Sequence, residues 1–213
     1  MGLAGVILAA GESSRMGRDK ALLPWPPAPH PSNTAKGGAA SSRSLLSATI
    51  DALGRFCDLI FVVVGKNQTT LEPVVYSCAA FLVRNPNPEL GQFSSLQTGL
   101  REVLSRGRDN AMITLVDRPP PTAETLKYLV DSFTNRAHGT WAVVPEFQGS
   151  HGHPILVGRE MIEEFLRAPA TANAREIEHA HQQRISYLRV DDPSLTTNVD
   201  TPEDYASLQS QRS

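Results

Sequence analysis

The feature that most limits the fold is a set of short, unbroken apolar runs. Leu59–Val64 reads "LIFVVV" and stops at Gly65, Ala111–Val116 reads "AMITLV", and Trp141–Val144 reads "WAVV". None alternates polar with apolar residues, so a strand formed from any of them must be covered on both faces, as in a parallel sheet. Gly5–Leu8 and Ala80–Val83 read as strands in the same way, and Ile155–Val157 and Ile185–Val190 as shorter ones. Helical spacing appears between them. Leu45, Leu46, Thr49, Ile50 and Leu53 follow it. So do Leu96, Leu100, Val103 and Leu104, with Ser94 or Ser95 as N-cap, and Leu126, Leu129, Val130 and Phe133 behind Thr122 as cap. Alternating strands and helices predict an open α/β sandwich, and ligands of such sheets bind at the carboxyl ends of the strands.

The chain has 213 residues, which suits a single domain over 1–213. One stretch breaks the alternation. Pro24–Ser44 is rich in Pro, Gly, Ser and Ala and has no period, so a flexible surface insertion is expected over 25–44. A net charge of −2 argues against nucleic acid held by bulk electrostatics. No apolar run reaches the roughly 18 residues needed to span a bilayer. The N-terminal run has no basic region before it and does not read as a signal peptide. Cys57 and Cys78 form no disulfide framework or zinc pattern and read as buried thiols, so a cytoplasmic location is expected.

The first strand runs into "LAAGESSRMGRDK", Leu8–Lys20. Neither the P-loop spacing nor the G-x-G-x-x-G dinucleotide spacing fits it. Its residue types still suit an anion. Gly11 permits close backbone approach, Ser13 and Ser14 offer hydroxyls and N–H groups, Arg15 a planar fork, and Lys20 a point charge. The alternative is a solvated Gly/Ser turn. Asp117, in "TLVDRPPP", directly follows the fourth strand and is placed either to hold a divalent cation or to close a turn. In "TTNVDTPEDY", Thr201 reads as N-cap, Pro202 as the first helical residue and Asp204 as the acidic partner of a capping box. Asn198 or Asp200, just before it, could complete a metal site. His153, between Gly152 and Pro154, reads as a fixed turn near a substrate, and His179 and His181 read as surface residues.

Together these segments resemble the nucleotidyltransferases related to the molybdenum cofactor enzymes. "LAAGESSRMGRDKALLPW" is similar to their opening signature, LAAG-x-S-x-R-M-G-x-x-K-x-L-L-P. "NPNPELGQFSSLQTGL", "LVDRPPP", "GHPILV" and "DDPSLTTNVDTPEDY" resemble later family segments in the same order. The resemblance implies a Rossmann-like three-layer α/β/α sandwich with a mostly parallel central sheet, of the nucleotide-diphospho-sugar transferase type. It implies transfer of a nucleotidyl group from an NTP with release of pyrophosphate, dependent on Mg²⁺. By the same resemblance, Arg15, Lys20 and Asp117 are catalytic. Ala9, Ala10, Gly11, Ser13, Ser14, Gly91, Ser94 and Ser95 hold the nucleotide with Arg15 and Lys20. Asp117 and Asp200 bind the metal, and Gly152 and His153 meet the acceptor.

Relatives opening LAAG tend to use CTP and those opening LAGG tend to use GTP. CTP is therefore the expected nucleotide and molybdopterin the expected acceptor, with a molybdoenzyme as possible client. Three alternatives stay open: a guanylyltransferase, a sugar-phosphate nucleotidyltransferase, and a maturation factor that binds nucleotide without turnover. Three positions depart from the family pattern. The 25–44 insertion replaces a compact turn, Arg118 stands where glutamine is usual, and Asn198 stands where aspartate is common.

Overall fold

The structure, a computed structural model, describes residues 2–11, 17–27 and 43–210. Among the described residues eight strands form one sheet: β1 Ala4–Leu8, β2 Leu59–Val64, β3 Phe81–Arg84, β4 Asn110–Leu115, β5 Ala142–Phe147, β6 Ser150–His151, β7 Ile155–Gly158 and β8 Ile185–Arg189. Their order is β3-β2-β1-β4-β7-β5-β6, with β8 on β5. Strands β3, β2, β1 and β4 are mutually parallel, as the unbroken apolar runs required. The short β7 runs antiparallel to both β4 and β5, whereas β8 lies parallel to β5.

Seven α-helices of the described residues surround the sheet: α1 Leu45–Gly54, α2 Gln68–Ser77, α3 Gln92–Ser105, α4 Ala123–Thr134, α5 Arg159–Arg167, α6 Ala174–Ala180 and α7 Pro202–Ser210. Successive strand residues feed opposite cores, since side chains alternate across a strand. Ile7, Val62, Met112, Val143 and Leu156 pack under α1, α2 and α4. Val6, Phe61, Val63, Ile113, Val144 and Val157 pack under α3 and α5. Both faces of the sheet are therefore covered, and the chain is the expected three-layer sandwich. Among the described residues no helix is long and apolar enough to cross a membrane.

A third, smaller core joins Leu23, Trp25, Leu45, Ala48, Val199 and Leu208. It anchors both ends of the expected insertion. Trp25 N donates to Arg43 O at 2.9 Å, and Leu45 N to Leu23 O at 2.7 Å. Pro24 and Ser44 form an antiparallel bridge. Trp25 is buried and Ser44 caps α1, accepting from Ser47 N at 3.1 Å, so both belong to an ordered stem. Residues 28–42 lie outside the described residues.

Three expectations change on inspection. The helix placed behind Ser94 or Ser95 begins earlier, at Gln92 with Gly91 as N-cap, so both serines lie inside α3 and are buried. Helices α2 and α5 were not anticipated. Pro73 and sparse apolar spacing hide α2, while Met161, Ile162 and Phe165 of α5 do sit at helical spacing. Of the two cysteines, both free, only Cys57 is buried; burial, with Asp58 nearby, pushes its thiol up to about 12, which leaves it inert.

Candidate active site

Strand β1 ends where the glycine loop begins, and the two ends of that loop are tied to one side chain. Ala9 N continues the ladder by donating to Val63 O at 2.8 Å. Asn67 Nδ2 donates to Ala9 O at 2.9 Å and to Asp19 Oδ2 at 2.7 Å. Asp19 Oδ1 in turn accepts from Ala21 N at 3.0 Å and starts the short 3₁₀ helix Lys20–Leu22. Asn67 thus holds the first and last residues of the loop together and fixes where Lys20 starts. Nothing in the sequence marked Asn67; an asparagine after a strand and a glycine looks like an ordinary turn residue. Ala10 sits against Gly65, where an added Cβ would meet Ala10 O at 2.9 Å and Ala10 Cβ at 3.4 Å.

Lys20 leads to the second motif. Its Nζ lies 2.6 Å from Asp200 Oδ1 and 3.7 Å from Asp117 Oδ2, with side-chain exposures of 13%, 35% and 28% for Lys20, Asp200 and Asp117. Asp117 follows β4, whose ladder is extended by Val116 N donating to Leu8 O at 3.1 Å. The C-terminal loop is pinned across it, because Val199 N donates to Asp117 O at 2.8 Å. The expected capping box then closes the loop: Thr201 N and Asp200 N donate to Asp204 Oδ2, at 2.8 and 3.0 Å, and Asp204 N to Thr201 Oγ1 at 3.2 Å. Residues 180 positions apart in the chain meet in this way. Of the two candidates Asn198 and Asp200, Asp200 joins Lys20 and Asp117, whereas Asn198 is exposed.

Burial raises the Asp117 pKa, and Asp200 raises it further, against the lowering effects of Lys20 and Arg118. Asp117 Oδ1 is buried and has no hydrogen-bond partner among the described residues. A buried carboxylate oxygen left unpaired beside a second carboxylate suits a hard divalent cation, which takes one or two carboxylates plus phosphate and water. No cluster of three or more His, Cys, Asp or Glu occurs among the described residues, so these supply at most part of such a coordination sphere.

Beside this cluster opens a cleft of about 840 Å³. Leu8, Gly91 and Phe93 line it, together with Arg118, Arg175, Glu178 and Tyr187. Residues 5–185 match the family model of the MobA-like NTP transferase domain. The chain belongs to that family. It is therefore a nucleotidyltransferase. A molybdenum cofactor cytidylyltransferase of Escherichia coli (strain K12) is 24% identical over 207 residues, covering 96% of this chain and 94% of that protein. A probable molybdenum cofactor guanylyltransferase of Mycobacterium avium (strain 104) is 33% identical over 172 residues, covering 80% and 76%. Among solved structures, Rv0371c from Mycobacterium tuberculosis H37Rv superposes with a TM-score of 0.77 at 24% identity, covering 97% of this chain and 96% of that one. A complex of Rv0371C with manganese gives 0.70 at 22%, covering 98% of each.

Within this MobA-like domain the expected site residues that the structure describes fall in three groups. Ala9, Ala10, Gly11, Lys20, Asp117 and Asp200 gather at the carboxyl ends of β1 and β4. Ser13, Ser14 and Arg15 lie outside the described residues. Gly91, Ser94 and Ser95 form the turn into α3, with Gly91 at a φ of +96°. The serine hydroxyls are engaged internally: Asn85 Nδ2 donates to both at 2.9 Å, and Ser94 Oγ donates to Gly91 O at 2.7 Å. They shape the turn that borders the cleft.

Gly152 and His153 also line the cleft. His153 N donates to Leu195 O at 2.9 Å, and the ring Nδ1 lies 3.3 Å from Ile113 O. A carbonyl only accepts, so Nδ1 carries the proton of the neutral ring. Burial first, then Arg118, lowers the His153 pKa to about 4, so the ring stays neutral at physiological pH. A Cβ at Gly152 would meet Leu195 O at 2.7 Å and Leu195 Cβ at 2.8 Å. Gly152→Ala is expected to cost about 1–3 kcal/mol, since backbone must shift to admit it. Comparing the melting temperature of the variant with that of wild type checks this.

Arg118, Arg175, Glu178 and Tyr187 were not anticipated as a group. Burial raises the Glu178 pKa from 4.5 to about 7, only partly opposed by Arg175. Folding therefore favours the protonated acid. That stabilisation is present below the unfolded-state pKa and is lost as pH rises through 7. Glu178→Gln keeps the shape and removes the charge. Its melting temperature is expected to match wild type at pH 5 and to exceed it at pH 8; a pH-independent difference would contradict this assignment.

Proposed function

We propose that this nucleotidyltransferase moves CMP from CTP to the phosphate of molybdopterin, giving the cytosine dinucleotide and pyrophosphate. The observation that carries the reading is the Lys20 ammonium, 2.6 Å from Asp200 and 3.7 Å from Asp117 beyond the carboxyl ends of β1 and β4. The glycine loop, Ala9–Gly11 with Ser13 and Ser14, would receive the nucleotide, and Arg15 and Lys20 its triphosphate. Gly91, Ser94 and Ser95 would border the base through the turn they build. Gly152 and His153 would form the acceptor wall.

In the proposed reaction an acceptor phosphate oxygen attacks the α-phosphorus in line. The new P–O bond forms as the bond to the bridging oxygen of the β-phosphate breaks, and pyrophosphate leaves with that electron pair. An ionised phosphate needs no general base, so the protein's task is positioning and charge neutralisation. Lys20 follows the charge that develops on the leaving group. Asp117, with Asp200, would hold Mg²⁺, which when bound supplies Lewis-acid stabilisation of the phosphoryl oxygens. The manganese complex of Rv0371C is in keeping with a divalent cation.

The choice of CTP rests on the LAAG opening: a methyl at Ala10 would leave less room for a purine than glycine would. The 33% identity to a probable guanylyltransferase favours the second reading, GTP. Pyrophosphate release from CTP, GTP, ATP and UTP, each with Mg²⁺ and molybdopterin, tests the assignment. Release from CTP alone is expected. Release from GTP alone replaces the base and keeps the reaction, and release from none refutes the proposal. The two free thiols fit the reducing cytoplasm as the place of work.

A further inference from the structure

Arg118 stands next to Asp117 at the end of β4, and Arg175 faces the same cleft from α6. Arg118 Nη1 donates to Leu195 O at 2.7 Å, which fixes the guanidinium in place. Its Nε is buried with no hydrogen-bond partner among the described residues. The two guanidiniums are close enough for Arg175 to oppose the charge on Arg118. Glu178 is the only carboxylate among the described residues lining the cleft, and it is drawn toward its neutral form. Asp117 and Asp200 support the Arg118 charge from beside the cleft, while within the lining itself two guanidiniums face a single carboxylate. Such an arrangement is relieved when an anion enters, and a planar guanidinium fork matches phosphate oxygens.

We propose that Arg118 and Arg175 form an anion subsite that holds the acceptor's phosphate beside Asp117. The proposal rests on the transfer reaction above only in naming the phosphate as the acceptor's. The chain position of Arg118, one residue from the proposed metal ligand, puts a phosphate held there next to the bound nucleotide. Arg118 and Arg175 would then set which acceptors are used, since an uncharged alcohol would gain nothing from them. In a purely structural role, Arg118 serves only to hold the Leu195 carbonyl and Arg175 is a surface residue.

The test uses Arg118→Gln, Arg118→Lys and Arg175→Gln in the full chain. Because Arg175 is exposed, its variant is expected to fold even if Arg118→Gln does not. Two readouts are needed: the KM for each substrate, and calorimetric titration with inorganic phosphate, which requires no turnover. The expected result is an acceptor KM raised about ten- to a hundredfold in both glutamine variants, with the NTP KM unchanged and phosphate binding weakened in parallel. Arg118→Lys keeps the charge without the fork and falls between. Unchanged phosphate binding together with an unchanged acceptor KM in Arg175→Gln overturns the subsite and leaves the transfer reaction standing. Weakened phosphate binding in an enzyme that turns over no NTP supports the subsite and removes the transfer reaction.

Discussion

Lys20→Ala is expected to lower kcat about a hundred- to a thousandfold while changing the KM for NTP far less. Losses of this size follow the removal of one preorganised charge from a partly buried site where transition-state charge develops. An interaction made mainly in the transition state appears in kcat rather than in KM. The geometry supports this division of effects. Lys20 Nζ already has two carboxylates, at 2.6 and 3.7 Å, so its place is fixed before any substrate arrives. The scaffold around it does not depend on its side chain. Asn67, Asp19 and Ala21 hold the loop through their own hydrogen bonds, so the variant is expected to keep the wild-type circular dichroism spectrum. Steady-state kinetics on both substrates separates the outcomes. A raised KM with unchanged kcat would make Lys20 a binding residue only.

Asp117→Asn is expected to reduce turnover about a hundredfold or more, since the proposed cation stabilises transition-state charge by several kcal/mol. The variant nearly preserves shape. Its backbone oxygen still accepts from Val199 N, which keeps the C-terminal loop across β4. Wild-type Asp117 buries an oxygen with no partner among the described residues, a costly arrangement for an ionised group. Replacing it by a neutral amide is therefore expected to leave the metal-free melting temperature within a few degrees of wild type. Stabilisation by added Mg²⁺ or Mn²⁺ is expected to disappear. A variant that is inactive yet still stabilised by the cation would show that Asp117 works without holding it.

Much of this architecture is legible in the sequence because burial leaves a simple trace. "LIFVVV" and "AMITLV" read as strands covered on both faces, and they flank β1 in the parallel part of the sheet. Thr122 and the Thr201–Asp204 pair marked helix starts through capping chemistry that acts over a few residues. What the sequence hid depends on contacts between distant segments. An apolar run four residues long carries no sign of direction, so the antiparallel course of β7 was not readable. Asn67 acts through two partners 58 and 48 positions away. Arg175 and Glu178 sit on α6, which buries no residue completely and has little apolar period to expose it. Ser94 and Ser95 show the converse: their place in a motif was clear, but not that Asn85 occupies their hydroxyls.

The central claim is that Lys20 and Asp117 serve the transfer of a nucleotidyl group. NTP labelled at the α-phosphate, incubated with acceptor and Mg²⁺, tests it most directly. The account predicts that the label moves to the acceptor with equimolar pyrophosphate release, and that Lys20→Ala slows both about a hundred- to a thousandfold. Release of inorganic phosphate with the label left on a nucleoside diphosphate, or equal transfer by wild type and variant, would contradict it.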